Sequence, residues 1–316
     1  MSISESTRFG RVLTAMATSM DAKGQVDYDR TVELARWLIA NGSDGLIVTG
    51  TTGEAPTLTD PEKISLWEAV AGAVTVPVIA GSGSNDTAHS IHMTKRAKEV
   101  GAAAALIVTP YYNRPPQSGV LSHFEVVAKA TDLPIIIYDI PVRTGRKVES
   151  DTLLELIRRC SNVIGLKDAA GDLFSTSRLV PMLPDYFEVF SGDDGLTLPL
   201  LAIGAVGVIG VATHWAAFGY QSMISSFLSG DTVRAIKINQ ALIASVDFES
   251  KLDAPNPMPV KAMMNVLGLE VGEARLPLGD APEYLRKEAQ GVFDETNKGL
   301  SALGVQAAKP KKEIRV

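Results

Sequence analysis

The chain has 316 residues, of which 46% are hydrophobic and 21% are charged, a composition typical of a globular protein with a sizeable core. Its formal net charge of -6 argues against a surface for nucleic acid or an anionic membrane, since neither attracts an acidic protein without a local basic patch. One basic cluster, Lys309, Lys311 and Lys312, lies near the C-terminal end, and we interpret it as a solvated tail.

Eight short β-branched runs recur along the chain. They occupy residues 12–18, 45–49, 76–80, 105–109, 135–138, 163–166, 187–190 and 206–211. Segments with helical periodicity lie between them, and the middle runs begin roughly 29 residues apart, which is the length of one strand, one helix and two loops. Apolar runs that do not alternate suit parallel strands covered on both faces, so the pattern predicts an α/β fold, the (β/α)8 TIM barrel.

One segment, residues 195–230, contains no Asp, Glu, Lys or Arg and is long enough to cross a bilayer. Several glycines, Pro199 and His214 interrupt it, so we predict a buried helix, a strand and a second helix there, with no membrane contact. A single cysteine, Cys160, excludes an internal disulfide, and residues 1–10 do not resemble the apolar core of a signal peptide. We therefore expect a cytoplasmic protein.

Helical patterns follow the eighth run, at residues 232–248, 260–268 and 282–303, and predict an all-α C-terminal extension. We therefore divide the chain into a barrel with the active site at residues 1–230, a helical extension at 231–303 and a disordered tail at 304–316. The Pro-rich segment 253–259 is expected to be a rigid connector within the extension.

Lys167 directly follows the sixth apolar run and precedes a turn that contains glycine. In a barrel the carboxyl ends of all strands surround one pocket, so we expect this side chain at the pocket. An ammonium group is poorly tolerated among Val, Ile and Leu, which favours a neutral amine that attacks a ketone and forms a Schiff base. The alternative is that Lys167 reaches past the strand end to solvent or pairs with a carboxylate such as Asp168.

The turn after the second run reads Gly50-Thr51-Thr52-Gly53-Glu54. Its two glycines allow backbone amides to close around an anion, and its two hydroxyls add hydrogen bonds or pass a proton, so the turn suits a carboxylate. The alternative is an ordinary Gly-Thr turn with the glutamate in solvent.

Phenol groups follow the fourth and fifth runs. Tyr111 and Tyr112 lie on a proline-bounded loop, and Tyr138 ends the fifth run, five residues before Arg143. A phenol held near an amine relays protons because it both donates and accepts hydrogen bonds, and an arginine at a pocket mouth suits a carboxylate. The alternatives are packing or interface roles for the first two tyrosines and a surface ion pair for the arginine.

The cluster Ser191-Gly192-Asp193-Asp194 resembles a set of metal ligands, but a helix N-cap explains it equally well. The four histidines show no spacing that completes a zinc site. A lysine-based enamine mechanism needs no metal, so we predict no metal and no cofactor.

Together these motifs resemble the dihydrodipicolinate synthase and N-acetylneuraminate lyase family of class I pyruvate aldolases. They occur in family order and with family spacing from about residue 10 to residue 278: Gly50-Thr51-Thr52-Gly53-Glu54, Thr109-Pro110-Tyr111-Tyr112-Asn113, Tyr138-Asp139-Ile140-Pro141 with Arg143-Thr144-Gly145, Gly165-Leu166-Lys167-Asp168 and Ser191-Gly192-Asp193-Asp194. Thr51 and Arg143 favour the synthase branch over the lyase branch.

The resemblance implies which residues perform the chemistry. Lys167 would form the Schiff base with pyruvate, and Tyr138 would move protons to and from the adduct. Thr51 would link Tyr138 to Tyr112 in a proton relay. In this family the second phenol crosses a subunit interface, so the resemblance implies a homo-oligomer, a dimer of dimers.

The resemblance also implies how substrates are held. Gly50, Thr51 and Thr52 would hold the pyruvate carboxylate, Arg143 would bind the carboxylate of aspartate semialdehyde, and the backbone carbonyl of Ile209 would lie close to the adduct. The implied activity is a lyase step in lysine and diaminopimelate biosynthesis. Two alternatives stay open: another pyruvate-dependent aldolase acting on a sugar-acid or aromatic aldehyde, and a non-catalytic barrel that binds small acids.

Feedback inhibition is the last property that the resemblance addresses. In lysine-inhibited members, histidines and a glutamate help form an effector site, and the matching positions here are Asp60, Lys63 and His89. We therefore predict weak or absent inhibition by lysine.

Overall fold

The structure, a computed structural model, describes residues 7–311. Within this range the chain forms eight strands and twelve α-helices. The strands are β1 (Val12–Ala15), β2 (Gly45–Val48), β3 (Val78–Gly81), β4 (Ala104–Val108), β5 (Ile135–Asp139), β6 (Val163–Asp168), β7 (Glu188–Ser191) and β8 (Gly207–Gly210).

The strands form a closed parallel barrel. They pair in sequence order, and β8 pairs with β1 to complete the circle. Alternate side chains such as Leu13, Ile47 and Ile136 fill the inside, while their chain neighbours pack under the helices. The predicted (β/α)8 barrel is therefore confirmed, and its packed interior leaves the carboxyl ends of the strands for a site.

Helices connect the strands and then form the extension. They are α1 (Tyr28–Ala40), α2 (Asp60–Ala73), α3 (Thr87–Glu99), α4 (Gln117–Lys129), α5 (Pro141–Thr144), α6 (Ser150–Arg159), α7 (Leu173–Leu179), α8 (Thr197–Ala202), α9 (Thr213–Leu228), α10 (Thr232–Glu249), α11 (Met258–Val266) and α12 (Glu283–Ala302). The uncharged segment forms α8, β8 and α9, as predicted. Across residues 7–311, no helix has the length and apolar character needed to span a membrane.

The three predicted helices of the C-terminal extension are α10, α11 and α12. Their apolar faces share one core with the outer helices of the barrel, through residues such as Leu242, Met263 and Phe293. The division between barrel and extension at residues 230 and 231 stays a prediction.

The expectation of a disordered tail from residue 304 is wrong for residues 304–311. This segment lies against α1, where the Trp37 indole N–H donates to the Lys309 carbonyl at 3.1 Å, and Lys311 forms an ion pair on the same helix. A buried indole N–H needs a partner, and the tail supplies it. Lys312, the third member of the basic cluster, lies outside the described residues.

Candidate active site

Lys167 lies inside the barrel near the end of β6, with only 4% of the residue exposed. Tyr138 of β5 and Phe190 of β7 are its direct neighbours across the sheet. The Lys167 Nζ atom lies 4.4 Å from the centroid of the Tyr138 ring. Asp168 is engaged elsewhere, since it accepts a hydrogen bond from the Thr176 hydroxyl. Lys167 therefore neither reaches solvent nor pairs with Asp168. The face of the Tyr138 ring beside it suits a cation.

The Gly50–Glu54 turn follows β2 and begins from a strained residue. Thr49, just before the turn, has φ of 58°, a left-handed conformation that costs a non-glycine residue about 1–2 kcal/mol. Its hydroxyl donates to the Gly81 carbonyl at 3.1 Å and accepts from the Trp67 indole at 2.7 Å. These buried side-chain contacts hold the backbone in the conformation that starts the turn.

The other end of the turn is held by a buried ion pair. Glu54 also has a left-handed φ, 60°, and its side chain is 1% exposed, so the alternative that placed it in solvent is wrong. Its Oε1 lies 2.5 Å from the Nζ of Lys261 on α11, and its Oε2 accepts from the Arg275 N–H at 2.7 Å. Burial lowers the pKa of Lys261, an effect that the Glu54 carboxylate opposes. The C-terminal extension therefore contacts the turn directly.

A second contact from the extension reaches the centre of the turn. The side-chain amide of Asn256 donates to the Thr52 hydroxyl at 3.0 Å. Thr52 is 1% exposed, whereas Gly50 and Thr51 are partly exposed. The segment predicted as a rigid connector thus supplies a side chain that bonds to a candidate substrate-binding residue.

The remaining predicted residues separate into buried and exposed ones. Ile209 of β8 points into the barrel and is fully buried, as is most of Tyr138. Tyr112 is 90% exposed, with a left-handed φ of 70°, and Arg143 is exposed on α5. Within the described part of the chain, Arg143 forms no ion pair and Thr51 has no hydrogen bond to either tyrosine. The barrel thus groups the lysine, one phenol and Ile209, and leaves Tyr112 and Arg143 at the surface.

The aspartates after β7 have two different roles. Asp193 accepts hydrogen bonds from the Gly195 and Leu196 N–H groups, so the N-cap interpretation of this cluster is confirmed. Residues 7–311 contain no group of at least three His, Cys, Asp or Glu side chains that could hold a metal ion.

The buried Asp194 lies beside the half-buried Glu249, a contact that the sequence did not predict. One of the Asp194 oxygens accepts from the Val211 N–H at 2.8 Å, just after β8, and the Glu249 carboxyl at the end of α10 lies beside it. Burial raises the pKa of both acids, because it disfavours their charged forms. The charge of Lys167 lowers both values. Nothing in the local sequence signals this pair, because its members are 55 positions apart.

Comparison with known proteins identifies relatives of this chain in both sequence and structure. Residues 8–295 match the profile of the Dihydrodipicolinate synthetase family. A 4-hydroxy-tetrahydrodipicolinate synthase from Thermosynechococcus vestitus is 44% identical over 92% of this chain and 98% of its own. A dihydrodipicolinate synthase structure from Bacillus anthracis superposes with a TM-score of 0.87 at 42% identity, covering 91% of this chain and 98% of that one. One from Cyanidioschyzon merolae with lysine bound gives a TM-score of 0.89 at 39% identity, covering 92% and 99%.

Proposed function

This chain belongs to the dihydrodipicolinate synthetase family, and on that premise we propose that it condenses pyruvate with L-aspartate 4-semialdehyde to 4-hydroxy-tetrahydrodipicolinate. It is a lyase of the class I pyruvate aldolase type, and the step belongs to lysine and diaminopimelate biosynthesis. The main support from the structure is the buried Lys167, whose Nζ lies 4.4 Å from the centre of the Tyr138 ring.

The chemistry begins at the Lys167 amine, which attacks the keto carbon of pyruvate and, with loss of water, forms an iminium ion. The iminium withdraws electrons, so a proton leaves the pyruvate methyl group and the Tyr138 phenol carries it away. The resulting enamine carbon attacks the aldehyde carbon and forms the new C–C bond. The aldehyde oxygen takes a proton back from Tyr138 and becomes a hydroxyl group, while the nitrogen returns to the iminium form. The amine of the aldehyde substrate then displaces Lys167. The iminium itself is the electron sink, so no metal or organic cofactor is required.

Two sets of groups hold the substrates in this mechanism. The turn at Gly50, Thr51 and Thr52 binds the pyruvate carboxylate, and the Ile209 carbonyl lies close to the adduct. Arg143, an exposed cation without an ion pair in residues 7–311, binds the carboxylate of the semialdehyde. Fixing both reactants at one site removes much of the entropy cost of their encounter.

Borohydride trapping tests the central step. Reduction in the presence of pyruvate should add a carboxyethyl group to the peptide that contains Lys167, detected by mass spectrometry. Lys261 is an internal control, because it is also buried but is paired with the Glu54 carboxylate. No pyruvate-dependent adduct on Lys167 would favour the non-catalytic barrel.

The choice of aldehyde is tested at Arg143. We expect Arg143→Ala to lower kcat/KM for aspartate semialdehyde by about 10- to 100-fold, the worth of a charge-assisted hydrogen bond, with little effect on an uncharged aldehyde. Equal losses for both substrates, or a preference of the wild type for sugar-derived aldehydes, would instead support the other pyruvate aldolases.

The exposed Tyr112 supports a homo-oligomer, which we propose to be a dimer of dimers in which this phenol acts in a neighbour's site. Mixed oligomers of Tyr112→Phe and Lys167→Ala chains test this directly. A site with an intact lysine would then receive its phenol from the other chain, so the mixture should regain activity that neither variant has alone. No recovery would place the phenol in the site of its own chain.

We propose weak or absent feedback by lysine. The Nε2 of His89 lies 2.8 Å from Asp60, and Lys63 adds a positive charge near the same carboxylate, which disfavours a second ammonium group there. Turnover measured over a range of lysine concentrations checks this, and strong inhibition at micromolar lysine would contradict it.

A further inference from the structure

The C-terminal extension contacts the Gly50–Glu54 turn, called the carboxylate turn below, at two separate points. Asn256, two residues before α11, bonds to Thr52 in the middle of the turn, and Lys261 on α11 pairs with Glu54 at its end. Both contacts are shielded, since Thr52 and Glu54 are almost fully buried and Lys261 is 0% exposed. The extension therefore does more than cover the barrel.

We propose that Asn256 is a positioning residue that sets the direction in which the Thr52 hydroxyl donates, and thereby tunes the affinity of the turn for pyruvate. This inference rests on the proposed function, in which the turn binds the pyruvate carboxylate. It gives the C-terminal extension a role in substrate binding.

The reasoning starts from the donor and acceptor capacity of a hydroxyl. The Thr52 oxygen has one proton and two lone pairs, and the Asn256 amide donates to one lone pair at 3.0 Å. An N–H group cannot accept the Thr52 proton, so that proton is free to point at another acceptor. A carboxylate bound at the turn is such an acceptor, and a hydrogen bond to an ionised group is stronger than one between neutral groups.

The buried ion pair keeps this geometry in place. Glu54 has a left-handed backbone two residues after Thr52, and its carboxylate is held by Lys261 and by the Arg275 N–H. The turn is thus fixed at its end while Asn256 orients its central hydroxyl. Pyruvate would meet a donor that is already aligned.

Three variants test the proposal. Asn256→Ala should raise the KM for pyruvate about 3- to 10-fold, the loss expected for one oriented neutral hydrogen bond, with kcat and the KM for the aldehyde within twofold. Asn256→Asp should be worse, because a carboxylate would accept the Thr52 proton and repel the substrate. Asn297→Ala is the matched control: its amide also donates a hydrogen bond, to the Ala308 carbonyl at 3.2 Å, and it lies on α12.

Two outcomes would overturn the proposal. One is a pyruvate KM that changes as much in Asn297→Ala as in Asn256→Ala, which would reveal a general structural effect. The other is an Asn256→Asp variant milder than Asn256→Ala, which would mean that Thr52 normally donates to this side chain. If Asn256→Ala is unstable, a Thr52→Val background answers the same question. There Asn256→Asp should change the pyruvate KM far less than it does in the wild type, because the hydroxyl is gone. An equal change in the two backgrounds contradicts the proposal.

Borohydride trapping separates this inference from the proposed function. If the wild type traps no pyruvate on Lys167, the proposed function fails, and this inference with it. If the wild type traps pyruvate but the concentration needed is the same in Asn256→Ala, only the role of Asn256 fails.

Discussion

Gly192, in the loop after β7, is a position where a single added methyl group should act on Lys167. A Cβ placed there would lie 2.9 Å from the Lys167 Cγ and 2.9 Å from the Ala169 Cβ. Carbon atoms in contact normally lie at least about 3.5 Å apart, so the methyl must displace its neighbours by roughly half an ångström. Ala169 is held by its backbone, whose N–H donates to the Asp139 carbonyl at 2.9 Å. The flexible lysine stem therefore has to move.

The size of the effect follows from this displacement. A misplacement of 1 Å at a reacting group costs about 100-fold in rate, so half that distance predicts a loss of about tenfold in kcat for Gly192→Ala. Overpacking should also lower the free energy of unfolding by about 1–3 kcal/mol. Steady-state kinetics and urea unfolding measure the two quantities, and the rate of borohydride trapping shows whether Schiff-base formation is the step that slows.

A matched control separates the local effect from the general effect of replacing glycine by alanine. Gly291 lies within α12, and a methyl group added there would point into open space. Gly291→Ala should leave kcat unchanged and raise the free energy of unfolding by about 0.5–1 kcal/mol. If Gly192→Ala keeps wild-type kcat, the lysine stem does not depend on this packing and the reasoning is refuted.

Three further variants test buried charges. Burial lowers the pKa of His123 to about 4, so the buried neutral ring makes the folded state less stable as the pH falls below about 6.5. Between pH 7 and pH 5, the wild type should therefore lose about 2 kcal/mol more of its free energy of unfolding than His123→Gln. Burial and Asp168 raise the pKa of Asp139 to about 7, so protonation of this carboxyl stabilises the folded state as the pH falls. Between pH 7 and pH 5, the wild type should gain about 2 kcal/mol more free energy of unfolding than Asp139→Asn. Urea unfolding at the two pH values checks both, and parallel curves for variant and wild type would contradict them. Lys261→Met should cost about 3–5 kcal/mol, with partial recovery in the double variant with Glu54→Gln; a recovery of zero would mean that the two side chains are not coupled.

Several predictions from the sequence depend on local patterns, and these agree with the structure. The eight apolar runs form eight strands because non-alternating β-branched residues favour parallel strands buried on both faces. Thr59 and Glu62 have the sequence spacing of a capping box, and they form one at the start of α2. Lys167 stands out in the sequence by its position at the end of an apolar run, and the barrel buries it as that position indicates.

Other predictions fail because they concern contacts between distant parts of the chain. The local sequence allows Glu54 to lie in solvent, yet it pairs with Lys261 more than 200 positions away. The composition of the tail from residue 304 is typical of a disordered segment, yet the Trp37 indole N–H donates a hydrogen bond to the Lys309 carbonyl. Whether a polar side chain is exposed or buried in a hydrogen bond depends on which distant residues pack against it. The local sequence does not contain that information.

The sequence by itself determined the repeated strand-helix unit, the family and the position of the candidate lysine, because each follows from short motifs and from their order along the chain. The tertiary structure alone decided that the C-terminal extension bonds to the Gly50–Glu54 turn and that Glu249 lies beside the buried Asp194. Closing the barrel and packing helices on it brings these groups within hydrogen-bond distance in a dry environment, where a contact between polar atoms is strong and an unpaired one is costly.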